Sequence, residues 1–327
     1  MLLDLYRRKI NYLRISVTDR CNLRCRYCMP EEGIPLIHHE YVLRYEEILR
    51  IVRVFAREGI SKVRLTGGEP LVRKGIVDFI ARLSQIEEIQ DLSLTTNGIL
   101  LRELARDLKR AGLRRVNISL DSLRRDRFLQ ITRKDEYERV WAGIVEALSA
   151  GLTPIKINMV AIRGVNDDEI EDFARLTRHL PLTVRYIEYM PSGNGDVWAE
   201  SHIVTTPEIQ RHLETLGKLI PIASEKWDGP ATRFRLEGAI GEIGFIGAVS
   251  NHFCSECNRL RLTPDGKIRT CLFSDDEVDL REILRKGGTD EELKQRLLAA
   301  IHSKPERHHI NTHQFKKCQR NMSAIGG

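Results

Sequence analysis

Short β-branched segments alternate with helical segments through the first 190 residues, and this alternation limits the folds that the chain can adopt. The six β-branched segments are LRISVT (13–18), KVRLTG (62–67), DLSLTTN (91–97), RRVNISLD (114–121), PIKINMV (154–160) and LTVRYIEYM (182–190). The segments between them carry apolar residues at helical spacing and end at Gly or Pro, as in residues 45–60, 100–112, 136–151 and 167–181. A repeated strand and helix predicts βα units and a parallel sheet.

Six βα units are too few for a closed eight-stranded barrel. The sequence therefore predicts an α/β fold with an incomplete, TIM-like (βα)6 barrel. Active sites of such folds lie at the C-terminal ends of the strands. We expect the reactive residues at or near those ends to meet at one opening; they are Cys21, Cys25, Cys28, the GGEP motif (67–70), Thr95, Thr96, Asn97, Ser119, Asp121, Asn158, Glu188 and Met190.

The pattern changes near residue 200. A helical stretch and the segment FRLEGAIGEIGFIG follow, and then RLRLTPDGKIRTC, whose PDG turn is typical of a two-stranded hairpin. We predict two domains, a partial barrel over 1–200 and a smaller C-terminal α+β domain over 201–327.

The composition is ordinary for a globular protein, with 42% hydrophobic and 30% charged residues. No apolar run approaches the ~18–20 residues of a membrane span, and the start MLLDLYRRKIN meets charge too early for a secretory signal. We expect a cytoplasmic protein without a membrane or nucleic-acid partner, because extended basic tracts with interleaved aromatics are absent. The net charge of +6 fits either a mildly basic surface or an anionic ligand such as a phosphate ester.

Six of the seven cysteines form two groups of three. Cys21, Cys25 and Cys28 have the spacing C-x3-C-x2-C, and Cys254, Cys257 and Cys271 have the spacing C-x2-C-x13-C. Cysteines of a reducing compartment favour metal binding or catalysis over disulfides. Structural zinc needs four ligands, so zinc remains only an alternative for each group. A four-iron cluster tolerates three thiolates and keeps one iron open. The remaining cysteine, Cys318, is typical of a small buried hydrophobe.

The first cysteine motif, with Tyr27 before its last cysteine and GGEP one βα unit later, resembles the radical S-adenosylmethionine family. Within that family the chain resembles the GTP-cyclising enzymes of molybdenum cofactor biosynthesis, from the first predicted strand to the last residue. The stretches that carry this resemblance are SVTDRCNLRCRYCMP, VRLTGGEPLVR, LTTNG, VNISLDSL, IKINMV, YIEYMPSG, CSECNRLRLTPDGKIRTCL and the terminal MSAIGG.

The resemblance implies a lyase that converts GTP to (8S)-3′,8-cyclo-7,8-dihydroguanosine 5′-triphosphate, the first step of that pathway. In the family, an adenosyl radical takes hydrogen from C3′ of the GTP ribose. The ribose radical attacks C8 of guanine, and one further electron completes the product. The implied cofactors are S-adenosylmethionine and two [4Fe-4S] clusters, the first held by Cys21, Cys25 and Cys28 and the second by Cys254, Cys257 and Cys271.

The resemblance also implies the remaining site residues. Contacts to S-adenosylmethionine fall on Tyr27, Gly68, Ser119 and Met190. Contacts to GTP fall on Arg14, Arg64, Thr95, Lys156, Arg259, Leu260 and Arg261. Arg14, Arg259 and Arg261 are implied in catalysis together with Gly326 and Gly327, because the family's matching tail enters the active-site channel, where only residues without side chains fit.

The basic residues favour an anionic substrate independently of the family. Arg259 and Arg261 alternate on a predicted strand and therefore share a face, and arginine binds phosphate through two parallel hydrogen bonds. Any one of these arginines alone would more often be a surface charge paired with a carboxylate. Their grouping beside six cysteines favours a triphosphate.

The implied partners are an electron donor such as flavodoxin or ferredoxin and the next pathway enzyme, cyclic pyranopterin monophosphate synthase, reached through the product. The chain is expected to be a monomer or a homodimer.

One alternative function is that of another radical enzyme with an auxiliary cluster, for example one that matures a peptide. A second alternative is a zinc-stabilised nucleic-acid-binding module. His309 and His313, four residues apart, could share a helix face and bind a metal, but they lack the glutamate of a known metal motif.

Overall fold

The computed structural model describes residues 1–190, 200–223, 225, 228–310 and 318–326. Its first half contains six strands, as the sequence predicted: β1 (Tyr12–Ser16), β2 (Lys62–Thr66), β3 (Asp91–Thr96), β4 (Arg115–Ser119), β5 (Ile155–Ala161) and β6 (Leu182–Glu188). The helices of this half are α1 (Tyr45–Glu58), α2 (Ile76–Ser84), α3 (Leu101–Arg110), α4 (Arg125–Thr132), α5 (Tyr137–Ser149) and α6 (Ile170–His179). The predicted stop signal after α1 is confirmed, since Gly59 caps this helix with a φ of 125°.

The second half adds six strands and four helices within the described residues. They are α7 (Thr206–Glu214), β7 (Leu219–Ile222), β8 (Thr232–Leu236), β9 (Glu242–Ile246), β10 (Arg259–Leu262), β11 (Lys267–Arg269), β12 (Glu277–Asp279), α8 (Arg281–Arg285), α9 (Asp290–His302) and α10 (Met322–Ile325). The predicted hairpin around the PDG turn is confirmed, because β10 and β11 pair antiparallel.

All of these strands belong to one sheet, in the order β12-β11-β10-β1-β2-β3-β4-β5-β6-β9-β8-β7. Strands β1 to β6 run parallel, β10 joins β1 in parallel and β9 joins β6 in parallel. The strands that follow residue 200 therefore extend the curled sheet of the partial barrel at both edges. Because β10 pairs with β1, the loop that precedes β10 lies near the start of the barrel.

Side chains alternate between two environments along the first strands. Leu13 and Ile15 of β1 and Val63 and Leu65 of β2 are fully buried in the hydrophobic core, which also takes in the apolar faces of the helices. The residues between them, Arg14 and Arg64, lie on the other face of the sheet and line a cavity. The partial barrel is thus apolar beneath its helices and strongly polar inside.

No helix among the described residues is both long enough and apolar enough to cross a membrane.

Candidate functional site

A cavity of 310 Å³ brings the two cysteine groups together. Most of the site residues predicted from the sequence line it: Arg14, Cys21, Cys25, Tyr27, Cys28, Arg64, Gly68, Thr95, Ser119, Met190, Cys254, Cys257, Arg259, Arg261 and Cys271. These residues come from both halves of the chain. The pairing of β10 with β1 explains how they meet, since it places the second cysteine group next to the first strand.

A few predicted site residues lie elsewhere. Lys156 is buried on β5, with its Nζ 3.7 Å from Oδ1 of Asp228. Leu260 is fully buried in the hydrophobic core, between the two arginines of β10 that line the cavity. Glu188 is also buried, and its carboxylate accepts hydrogen bonds from the backbone of Thr206, Val249 and Ser250. Gly327 and His313 lie outside the described residues.

The first cysteine group lies on the loop after β1. The backbone N–H groups of Cys28 and Met29 donate to the carbonyl oxygen of Cys25 at 2.9 and 3.1 Å, so a tight turn separates the last two thiols. The backbone N–H of Leu23 donates to Sγ of Cys21 at 3.4 Å. Burial raises the pKa of the Cys21 thiol to about 12. This thiol is therefore protonated at neutral pH until a metal displaces the proton.

The donor set fits an iron–sulfur cluster better than a single metal ion. All six clustered cysteines are half-buried free thiols. Among the described ranges, no three Cys, His, Asp or Glu side chains converge as ligands of one ion would. A [4Fe-4S] cluster binds each thiolate through a different iron and needs no such convergence. Three thiols in each group therefore suit a cluster with one open iron, and zinc remains the alternative.

The GGEP motif locks the loop after β2 against the cysteine loop. The backbone N–H of Gly68 donates to the carbonyl oxygen of Thr18 at 2.7 Å, and a Cβ on Gly68 would lie only 2.3 Å from the carbonyl oxygen of Arg20. The buried Glu69 carboxylate accepts from the Thr96 hydroxyl and from the backbone of Asn97, both at 2.7 Å. Glu69 thereby fixes the motif to the end of β3, a role that sequence reasoning missed.

The Tyr27 side chain is hydrogen-bonded to Asp121, which the sequence predicted only as a residue at the end of a strand. Its hydroxyl donates to Oδ2 of Asp121 at 2.5 Å, while Oδ1 accepts from the backbone N–H of Val160 at 2.9 Å. Burial raises the pKa of Asp121 to about 6, against the opposing effect of the Tyr27 hydrogen bond. Above that pH the carboxylate is charged, and the charge strengthens its hold on Tyr27.

Tyr27→Phe tests the expectation from the sequence that Tyr27 contacts S-adenosylmethionine. We expect the Kd for S-adenosylmethionine to rise about tenfold, or about 1.4 kcal/mol, because the buried Asp121 carboxylate loses a donor and Tyr27 loses its fixed position. Isothermal titration calorimetry on the cluster-loaded protein measures the change. Tyr41→Phe is the matched control, since Tyr41 is 46% exposed and outside the cavity. An unchanged affinity for Tyr27→Phe would remove Tyr27 from the binding site.

The second cysteine group is assembled by the hairpin of β10 and β11. Cys254 and Cys257 lie on a short turn before β10, where the Cys257 N–H donates to the Cys254 carbonyl oxygen at 3.2 Å. Cys271 follows β11, which returns antiparallel to β10. Burial raises the pKa of Cys257, but the charges of Arg259 and Lys304 outweigh it and bring the pKa down to about 6. This thiolate therefore forms at neutral pH.

A row of arginines crosses the inside of the sheet. Arg14 pairs in register with Arg64 of β2 on one side and with Arg261 of β10 on the other. Burial and then the neighbouring Arg259 lower the pKa of Arg261 to about 10. Like charges in neighbouring register positions repel each other, and burial strengthens that repulsion. The row therefore favours the binding of a polyanion.

Further polar groups in the cavity lack a hydrogen-bond partner. The buried atoms concerned are Oγ1 of Thr95, Oδ1 of Asn158, Nε of Arg185 and Oγ of Ser323. Buried polar atoms normally have partners, so these atoms indicate a polar ligand. The sequence did not indicate Arg185, because nothing near it on β6 resembles a binding motif. The signal that could have found it is its inward register position beside Asn158 of β5.

The C-terminal tail approaches the same site. Ser323 of α10 lines the cavity, and its carbonyl oxygen accepts from the Ser16 hydroxyl at 3.4 Å. Arg261 donates through Nη1 to the carbonyl oxygen of Gly326. The predicted approach of the tail to the active site is therefore consistent with the position of Gly326.

Comparisons with known proteins agree with this geometry. The profile of the Radical SAM superfamily matches residues 15–177, and that of Molybdenum Cofactor Synthesis C matches residues 182–310. The GTP 3′,8-cyclase of Thermodesulfovibrio yellowstonii is 51% identical over 326 residues, covering 99% of both chains. The enzymes of the same name from Heliobacterium modesticaldum and Moorella thermoacetica are 50% and 52% identical, covering 100% and 99% of both chains.

Solved structures share the fold at low identity. The crystal structure of Streptococcus suis SuiB matches with a TM-score of 0.60 at 15% identity, covering 91% of this chain and 66% of that chain. SuiB bound to its precursor peptide SuiA matches with a TM-score of 0.62 at 13% identity, covering 97% and 76%. The likeness to SuiB extends to the fold alone, whereas the full-length identity to the cyclases carries the assignment. The chain therefore belongs to the GTP 3′,8-cyclase family of the Radical SAM superfamily, as the sequence resemblance predicted.

Proposed function

We propose that this protein converts GTP to (8S)-3′,8-cyclo-7,8-dihydroguanosine 5′-triphosphate, the first step of molybdenum cofactor biosynthesis, within the 310 Å³ cavity. One observation carries the proposal: both cysteine groups and the arginines of the row line this same cavity. A radical formed beside the first cysteine group can then reach a substrate bound beside the second within one cavity.

The first half of the proposed site binds S-adenosylmethionine. Cys21, Cys25 and Cys28 would hold a [4Fe-4S] cluster, which when bound supplies the electron that cleaves S-adenosylmethionine to the adenosyl radical. The chain orients this cofactor through the remaining predicted contacts, Tyr27, Gly68, Ser119 and Met190. The hydrogen bond from Tyr27 to Asp121 and the close packing of Gly68 on the cysteine loop keep two of them in place.

The second half of the proposed site binds GTP. Cys254, Cys257 and Cys271 would hold a second [4Fe-4S] cluster, and Arg14, Arg64, Arg259 and Arg261 would bind the triphosphate. Arg185 of β6 lines the cavity, and Lys156 of β5 is buried near it. Burial and then other arginines lower the pKa of Arg185 to about 9 and that of Lys156 to about 7. A triphosphate close to both groups would offset this repulsion and raise both pKa values.

We further propose the two-domain division near residue 200, a flavodoxin or ferredoxin as electron donor, and transfer of the product to cyclic pyranopterin monophosphate synthase. A reducing compartment such as the cytoplasm suits clusters held by free thiols. A monomer and a homodimer remain the two proposed assembly states.

The proposal is tested by turnover after anaerobic reconstitution with iron and sulfide. S-adenosylmethionine, a strong one-electron reductant and GTP are added, and the quenched mixture is analysed by mass spectrometry. We expect 5′-deoxyadenosine together with an isomer of GTP, which has the same mass and a new retention time. A parallel reaction with ATP is the control. Formation of deoxyadenosine without any change in GTP would rule out GTP as the substrate and favour the peptide-maturing alternative.

Arg185→Ala tests the cationic half of the site. We expect the Kd for GTP to rise about 10- to 100-fold, because a hydrogen bond between charged groups contributes about 1.5–3 kcal/mol. Equilibrium binding of GTP to the cluster-loaded protein measures the loss. Arg175→Ala is the control, because Arg175 lies on the exposed side of α6 and pairs with Glu171 and Asp172. Equal affinities of the Arg185→Ala variant and the parent would place the triphosphate elsewhere.

A further inference from the structure

Lys304 lies beside the second cysteine group and belongs to none of the motifs described above. It follows α9 and is only 3% exposed. A buried lysine is rare unless its charge has a partner. Among the described residues, no carboxylate forms an ion pair with Lys304, so its partners must be of another kind.

The ammonium group of Lys304 makes three short polar contacts. Its Nζ donates to the carbonyl oxygen of Thr270 at 2.6 Å, to the carbonyl oxygen of Arg259 at 3.0 Å and to Sγ of Cys257 at 3.5 Å. An ammonium group has three N–H donors, and each therefore has one acceptor here. This complete set of bonds fixes the position of the group.

The two carbonyl groups belong to the segments that carry the cysteines. Thr270 directly precedes Cys271, and Arg259 lies two residues after Cys257. Lys304 therefore ties the two segments of the hairpin together at the point where both present a thiol. The segment that carries Lys304 is itself anchored by Arg8, which donates to the carbonyl oxygens of Pro305 at 2.6 Å and of Cys254 at 2.8 Å.

The third contact brings a cation against a cluster ligand. A [4Fe-4S] cluster becomes more negative by one charge when it is reduced, and a nearby positive group stabilises that state more than the oxidised one. Hydrogen bonds to the ligating sulfur act in the same direction. Both effects are strong where water is excluded, and Lys304 is almost fully buried.

We propose that Lys304 is a positioning residue of the second cluster. Lys304 holds the two ligand segments together and raises the reduction potential of the cluster through its hydrogen bond to Cys257. The inference rests on the second cluster of the proposed function. It assigns to one lysine outside the cysteine motifs the control of the potential at which that cluster accepts an electron.

The test isolates the second cluster in the full-length chain. A parent variant with Cys21→Ala, Cys25→Ala and Cys28→Ala lacks the ligands proposed for the first cluster, so its electron paramagnetic resonance signal reports the second alone. Lys304→Met removes both charge and hydrogen bonds, whereas Lys304→Gln keeps a donor without the charge. Lys286→Met is the control for losing a lysine charge, because Lys286 follows α8 with an exposed side chain that pairs with Glu282.

Redox titration and iron counts then separate the outcomes. We expect a lower midpoint potential for Lys304→Met, a smaller decrease for Lys304→Gln and none for Lys286→Met. A loss of iron from the Lys304 variants, with an unchanged potential in the clusters that remain, would reduce Lys304 to a structural residue. Unchanged potential and unchanged iron content would overturn the inference entirely. A parent variant that folds but holds no cluster would instead refute the second cluster of the proposed function.

Discussion

Cys25→Ala is expected to abolish the formation of 5′-deoxyadenosine while leaving about half of the bound iron in place. Its thiol is one of three on the loop after β1, and a site with two thiolates leaves two irons of a four-iron cluster without a protein ligand. Without an intact first cluster no electron reaches S-adenosylmethionine, so turnover should fall to background. The second group of cysteines is unaltered and should still bind the proposed second cluster.

The measurement combines iron and sulfide counts with quantification of deoxyadenosine by mass spectrometry. Cys318→Ser is the matched control, because Cys318 is the one cysteine outside the two groups. Its thiol is 2% exposed and donates to the carbonyl oxygen of Leu272 at 3.3 Å, a bond that a serine hydroxyl can replace. This variant should keep both clusters and full activity. Normal deoxyadenosine formation by Cys25→Ala would contradict the assignment of the first cluster to this loop.

The sequence was sufficient to predict the six strands and four of the six helices of the first half, whereas α2 and α4 were not predicted. Each predicted strand is present, with ends that differ by at most a few residues, because short β-branched runs and glycine stops are local signals. The cavity also brings together the two cysteine motifs and the two glycines of GGEP, which the sequence indicated as parts of one site. Strand ends of a parallel sheet meet at one edge, so topology alone placed the residues of the first half together.

The contribution of the second half to the sheet was beyond sequence reasoning. The hairpin of β10 and β11 was predicted, but its pairing with β1 depends on contacts between residues about 247 positions apart. That pairing aligns Arg261 with Arg14 and completes the arginine row. Lys304 shows the same limit, since a single lysine after a helix carries no local signal of the sulfur that it contacts.

The strongest test of the C-terminal tail is Gly326→Ala. Gly326 adopts a φ of +82°, in the left-handed region, and a Cβ at this position would lie 2.8 Å from Cγ2 of Thr66 and 3.2 Å from Cβ of Ser16. Those two residues end β2 and β1, so the tail runs closely against the wall of the barrel. A methyl group must push the tail away, and with it the carbonyl oxygen that accepts from Arg261.

We expect this displacement to lower kcat for GTP about 100-fold, the effect of misplacing a binding group by about 1 Å. An alanine in the left-handed conformation of Gly326 costs about 1–2 kcal/mol, so the unfolding temperature should fall by only a few degrees. Rates of product formation at saturating GTP, together with thermal unfolding, measure both quantities on the cluster-loaded protein.

Gly164→Ala separates the strain of the backbone from the clash with the wall. Gly164 also has a left-handed φ, +72°, but no atom lies within 4 Å of a Cβ built there. Both variants incur about 1–2 kcal/mol for an alanine in this conformation. Both variants should therefore lose a similar, small amount of stability, whereas only Gly326→Ala should lose activity. If both variants turn over GTP at the parental rate, the tail has no part in the reaction, and Arg261 acts without it.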